Sequence, residues 1–149
     1  PNVFAAATDQ ALAAAGREVV VLAGVRQARN DPALVAAGRR LLGHKDAGVR
    51  SVAGDIVSRA AALADLPALI TMYHRSARDS FPDAGIAALA GIAAISRGGA
   101  QARARVEDEF LRSAPRPPNY LIRRWAETNW SEAAARWGPG YPIESTISS

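Results

Sequence analysis

Leu41-Leu42-Gly43-His44-Lys45-Asp46-Ala47-Gly48-Val49-Arg50-Ser51-Val52-Ala53-Gly54-Asp55-Ile56-Val57 is the most regular stretch of this chain. Its spacing predicts a helix that begins just after Asp46. An Asp there accepts hydrogen bonds from the free N–H groups of the first helical turn. Beyond it Val49, Val52, Ala53, Ile56, Val57 and Ala60 recur at helical spacing and form one apolar stripe. Arg50 follows Asp46 by four residues, the separation at which opposite charges pair along a helix.

The same grammar returns at Phe81-Pro82-Asp83-Ala84-Gly85-Ile86. Asp83, Ile86, Ala90 and Gly91 each lie 37 residues after Asp46, Val49, Ala53 and Gly54. One step of the same length backwards reaches Asp9, Leu12 and Gly16, a fainter echo. A period of this size, with room for two helices, is the signature of a helical repeat stack. The partner helices lie between. Asp31-Pro32 opens one, with Pro in the first turn where a missing N–H costs nothing, and Leu34, Val35, Gly38, Leu41 and Leu42 on its inner face. Asp65-Leu66-Pro67 opens another, with Leu69, Ile70, Tyr73 and Ala77 inward.

Composition agrees. The chain has 149 residues, 49% of them hydrophobic but only 6% aromatic. A core built largely from Ala, Leu, Val and Ile favours closely approaching helices. Charged residues make up 21%, too few to keep such a chain disordered. Of the 18 bases only Lys45 is not Arg; the net charge is +4, with the 14 acids spread among the bases. Cys is absent, which removes disulfides, thiolate metal sites and Cys nucleophiles. No run approaches the roughly 20 apolar residues of a membrane-spanning helix. The start at Pro1, without Met, reads as a fragment or processed product.

After Gly98-Gly99 the repeat register is lost. Residues 100–114 read as a helix with Val106, Phe110 and Leu111 inward, and Pro115-Arg116-Pro117-Pro118 breaks the chain. Asn119 caps a short helix carrying Leu121, Ile122 and Trp125, and Ser131 caps another that reaches Trp137. Gly138-Pro139-Gly140-Tyr141-Pro142 ends helical structure, leaving an extended tail from Ile143 to Ser149. The expected organisation is a repeat array over residues 1–114, then capping helices and a tail over 115–149.

The segment Leu41 to Ala53 resembles the HEAT repeat motif, in which an Asp followed three residues later by Val-Arg, and then by Ala, marks the second helix. Asp31-Pro32 resembles the start of that family's first helix. Ala87 stands where the family usually has Arg. The resemblance implies an all-α fold, a HEAT-like α-solenoid of antiparallel helical hairpins. Arg136-Trp137-Gly138-Pro139-Gly140-Tyr141-Pro142-Ile143-Glu144-Ser145 resembles the connector that follows a HEAT-like array in some bacterial cyclophilin-type peptidyl-prolyl isomerases. That second resemblance implies that this chain is the non-catalytic front part of a larger enzyme.

Candidate chemistry is sparse. His44 and His74 are 30 residues apart and lack the spacing of a zinc-binding helix. Glu107-Asp108-Glu109 point in different directions on a helix, which makes a poor metal shell. Asp46, Asp65 and Asp83 sit where helix caps belong. No phosphate-cradling Gly loop and no nucleophile elbow is present. Asn129-Trp130-Ser131 fits a glycosylation pattern, but Ser131 has a better use as a cap. Catalytic, cofactor-binding and metal-binding residues are therefore assigned to none.

The most suggestive feature is Trp125, Trp130 and Trp137 interleaved with Arg123, Arg124 and Arg136. Aromatics beside Arg can stack on bases or cations. They can equally seal the open end of a repeat stack, which is the stronger reading, with Trp125 and Trp137 packed near Phe110 and Leu111. The expected function is a scaffold or spacer that binds protein, using Arg39, Arg40, Arg75, Arg78, Arg123, Arg124 and Trp130. The competing class is a nucleic-acid binder that gathers those Arg residues on one concave face.

Overall fold

A computed structural model describes residues 32–138, and every regular element among them is helical. Asp9, Leu12 and Gly16, the Asp31 side of the first helix start, and the tail after Gly138 lie outside the described residues. The α-helices are α1 (Pro32–Leu41), α2 (Ala47–Ser58), α3 (Leu66–Arg75), α4 (Asp83–Ser96), α5 (Ala100–Val106), α6 (Tyr120–Asn129) and α7 (Ser131–Arg136). Short 3-10 turns at Leu63–Asp65 and Ser76–Arg78 flank α3, and a π turn at Glu107–Leu111 prolongs α5.

α1 packs on α2, α3 packs on α4, and α2 and α4 lie directly against each other. Leu34, Val35, Val49 and Ile56 form one small cluster; a larger one runs from Leu42 through Leu69, Leu89, Ile92 and Phe110 to Trp137. The face assignments hold at Val49, Ala53, Ile56 and Val57, all buried. Val52 is only half-buried, and Ala60 and Ala77 are exposed, because α2 and the α3 region end before the stripe does.

Gly54 and Gly91, one period apart, both make room for α3, Gly54 from the preceding helix pair and Gly91 from α3's own pair. A Cβ on Gly54 would stand 2.9 Å from Ala87 Cβ and 2.7 Å from Met72 Cε; one on Gly91 would stand 2.8 Å from Leu69 Cδ1. The missing side chains let α2, α3 and α4 approach. Gly54→Val is expected to lower stability by about 1–3 kcal/mol through overpacking against rigid Ala87. Gly43→Ala, whose Cβ would meet nothing within 4 Å, is the control in urea denaturation.

The helix starts divide into those that match and those that shift. Asp46 caps α2, its Oδ1 accepting from Gly48 N at 2.7 Å and Val49 N at 3.2 Å. Asn119 caps α6 by accepting from Leu121 N at 2.8 Å. Asp83 and Ser131 instead are the first helical residues, and Pro82 and Trp130 occupy the cap positions without side-chain bonds. Asp65 serves the 3-10 turn before α3, accepting from Ala62 N at 2.9 Å.

Arg50 does not pair with Asp46, whose carboxylate is engaged by the backbone. It is 1% exposed and runs to the loop before α4, where Nη2 donates to Asp79 Oδ1 at 2.6 Å. Its Nη1 donates to the carbonyls of His44 and Lys45 at 2.8 and 3.0 Å. The α1–α2 pair is thereby tied to the turn that precedes α4.

The Trp residues also sort differently from expectation. Trp130, not Trp125, stacks on Phe110, at 6.1 Å between centroids and 12° between planes. Trp137 is parallel to Tyr73 at 6.3 Å, and Tyr73 meets Phe110 edge-on at 5.1 Å. Four rings thus form one chain, Trp137–Tyr73–Phe110–Trp130, and the Tyr73 hydroxyl donates to the Pro115 carbonyl at 2.8 Å. Trp125 stays half-buried, and Leu121, expected inward, is exposed, leaving Ile122 as the α6 residue that reaches Gly85.

Candidate interaction face

The Arg residues singled out in the sequence occupy unlike environments. Arg39 grips Asp65 with two bonds, Nε to Oδ1 at 2.8 Å and Nη2 to Oδ2 at 3.1 Å. Its guanidinium is held above its ordinary pKa by that hydrogen bond, with desolvation working against it and the Asp65 charge adding to it. Arg75 is exposed and donates to the Gly43 carbonyl at 3.1 Å. Arg40, Arg78 and Arg124 are exposed. Arg123 and Trp130 are inside, 6% and 5% exposed. Arg123 Nε reaches Glu127 at 3.2 Å while its Nη1 is buried without a partner among the described residues. The Trp–Arg cluster is thus split between the core and the surface.

The acidic run behaves as a solvated helix face. Glu107 pairs with Arg136 at 2.6 Å, Asp108 with Arg112 at 2.8 Å, and Glu109 with Arg105. Each acid meets a different Arg, which matches their divergent directions. Among the described residues no three His, Asp or Glu side chains gather as metal ligands. His44 has a local task, its Nδ1 accepting from Asp46 N at 3.0 Å. Asn129 Nδ2 donates to the Trp125 carbonyl at 2.9 Å, closing the end of α6.

A groove lies where α2 and α4 run side by side. Ser51, Val52 and Asp55 of α2 form one wall, Asp83, Ile86, Ala87 and Ala90 of α4 the other, and Trp125 of α6 closes the end. It is open to solvent and encloses about 350 Å³. Among the described residues its lining is mainly apolar and holds two carboxylates and no base. Asp55 pairs with Arg59 on the same helix at 3.1 Å; Asp83 makes no ion pair among the described residues.

The spacing alone puts Val52 in the core stripe, Asp83 at a cap and Trp125 in the seal. The available signal was that Val52 lies at the margin of its stripe and that Asp83 follows a Pro able to take the cap position. What no spacing rule supplies is Trp125, which reaches the groove from outside the repeating segment.

Comparison with known proteins gave no match to a family model, to a curated protein or to a solved structure. Among the described residues no helix is long and apolar enough to cross a membrane.

Proposed function

We propose that this chain is a non-catalytic protein-interaction or spacer module built as a HEAT-like solenoid of antiparallel hairpins. The direct packing of α2 on α4 and the Arg50–Asp79 tie between successive helix pairs support the repeat reading. The resemblance of the segment from Arg136 to Ser145 supports a place in front of a cyclophilin-type peptidyl-prolyl isomerase domain.

One observation carries the choice of protein over nucleic acid: among the described residues the groove over α2 and α4 is lined mainly by apolar side chains with Asp55 and Asp83 and by no base, Arg59 reaching only Asp55 from beyond the lining. A phosphate backbone needs clustered Arg or Lys that release counterions. Carboxylates beside apolar walls repel phosphate and suit a polypeptide.

Titration of the chain with duplex and single-stranded DNA at 50 and 200 mM salt tests this, as round values bracketing the range over which phosphate contacts lose affinity by about 10³–10⁵. Weak binding with a shallow salt slope is expected. Tight binding that collapses with salt would move the assignment to a nucleic-acid binder using Arg40, Arg75, Arg78 and Arg124.

A further inference from the structure

We infer that the groove over α2 and α4 receives a short cationic–apolar peptide segment of a partner protein, with an Arg or Lys of that segment laid on Trp125 between Asp55 and Asp83. This assignment rests on the protein-binding reading above and names the chemistry of the partner.

Charge complementarity carries it. The whole chain is +4, yet the groove lining holds two acids and no base. Asp83 is exposed and unpaired among the described residues, so its carboxylate can accept a new cation without breaking an existing contact. Asp55, with 48% of its side chain exposed, keeps lone pairs free beyond its contact to Arg59. An indole face attracts cations through its quadrupole, most strongly where water is partly excluded. Trp125, half-buried, lines the same groove as the two carboxylates.

Size and polarity narrow the occupant further. A space of about 350 Å³ accommodates a few side chains, not a folded element. Val52, Ile86, Ala87 and Ala90 give apolar contact to the flanking residues of an extended segment. The methylene stem of Arg or Lys lies along that wall while its head stays with the carboxylates. An acidic segment would meet Asp55 and Asp83 with like charge, and a purely apolar one would leave them desolvated without a partner.

Random dodecapeptides displayed on phage, selected against the full chain and against the same chain carrying Asp55→Asn and Asp83→Asn, test the assignment. Both positions are solvent-accessible and neither caps a helix, so the double variant keeps its fold. The selected sequences are expected to place Arg or Lys next to Leu, Ile, Val or Met. A synthetic copy should change Trp emission and bind the double variant about tenfold more weakly. Selection of acidic or uncharged sequences, equal affinity for both chains, or no enrichment overturns the groove assignment. Those outcomes leave the DNA titration untouched, and only its steep salt slope removes the underlying protein-binding reading.

Discussion

Asp79→Ala is expected to cost about 3–5 kcal/mol of stability, because it strands a buried guanidinium. Arg50 is 1% exposed, and among the described residues Asp79 is its only carboxylate contact. The two carbonyl acceptors at His44 and Lys45 remain after the substitution, but they are neutral and cannot balance the charge. The pair is already imperfect: Arg50 Nε and Asp79 Oδ2 are buried without partners among the described residues. Removing both charges, as in Arg50→Met with Asp79→Leu, should recover much of the loss, since desolvation and attraction nearly offset in a buried pair. The residue of the cost, about 1–3 kcal/mol, comes from the two carbonyls left without donors. Urea denaturation of the single and double variants decides it. An Asp79→Ala chain within 1 kcal/mol of the parent, roughly the worth of a surface pair, would show that water reaches Arg50 in solution.

Trp130→Ala is expected to be comparably damaging, about 3–5 kcal/mol, as for other large aromatics removed from a core. Its ring is 5% exposed and stacked on Phe110, which holds Tyr73, which in turn lies against Trp137. The loss removes one end of a four-ring chain that joins α3, the π turn and the last two helices. Thermal unfolding and near-ultraviolet circular dichroism measure it; the aromatic signal should fall with the melting temperature. Trp125→Ala, at a half-buried site, serves as the comparison. If Trp125→Ala costs more than Trp130→Ala, the ring chain is not what closes this end.

Much of the helical layout was readable because it depends on neighbours in sequence. Asp46 and the residues Val49, Ala53, Ile56 and Val57 announce a capped amphipathic helix within a dozen positions, and the structure places them so. Gly54 and Gly91 showed their equivalence through spacing, although only packing shows that each makes room for α3. The misses share a cause. Arg50 was matched with the acid four residues back, while its partner lies 29 residues ahead. Asp83 and Ser131 were given cap positions by residue type, but the chain enters each helix one residue earlier, at Pro82 and Trp130. Sequence points to Trp125 and Trp137 as the packed rings and to Trp130 as a partner contact, whereas Trp130 and Trp137 are the buried ones; which ring goes inside depends on how α6 and α7 fold back. The groove takes its lining from three helices, and no local pattern joins Val52, Ile86 and Trp125.

The π turn after α5 bears on how that helix buries its last residues. An ordinary α-helix advances about 100° per residue, so Leu111 would point roughly 140° away from Val106. Closing the turn through Arg112 N and the Glu107 carbonyl, at 3.0 Å, gives the backbone a wider loop and brings Val106, Phe110 and Leu111 onto one buried side. The turn acts as a phase shifter, absorbing one residue more than the periodicity allows in the last turn of the helix. The chain leaves the helix directly afterwards, so both Phe110 and Leu111 face inward where an ordinary turn would have sent one of them to solvent.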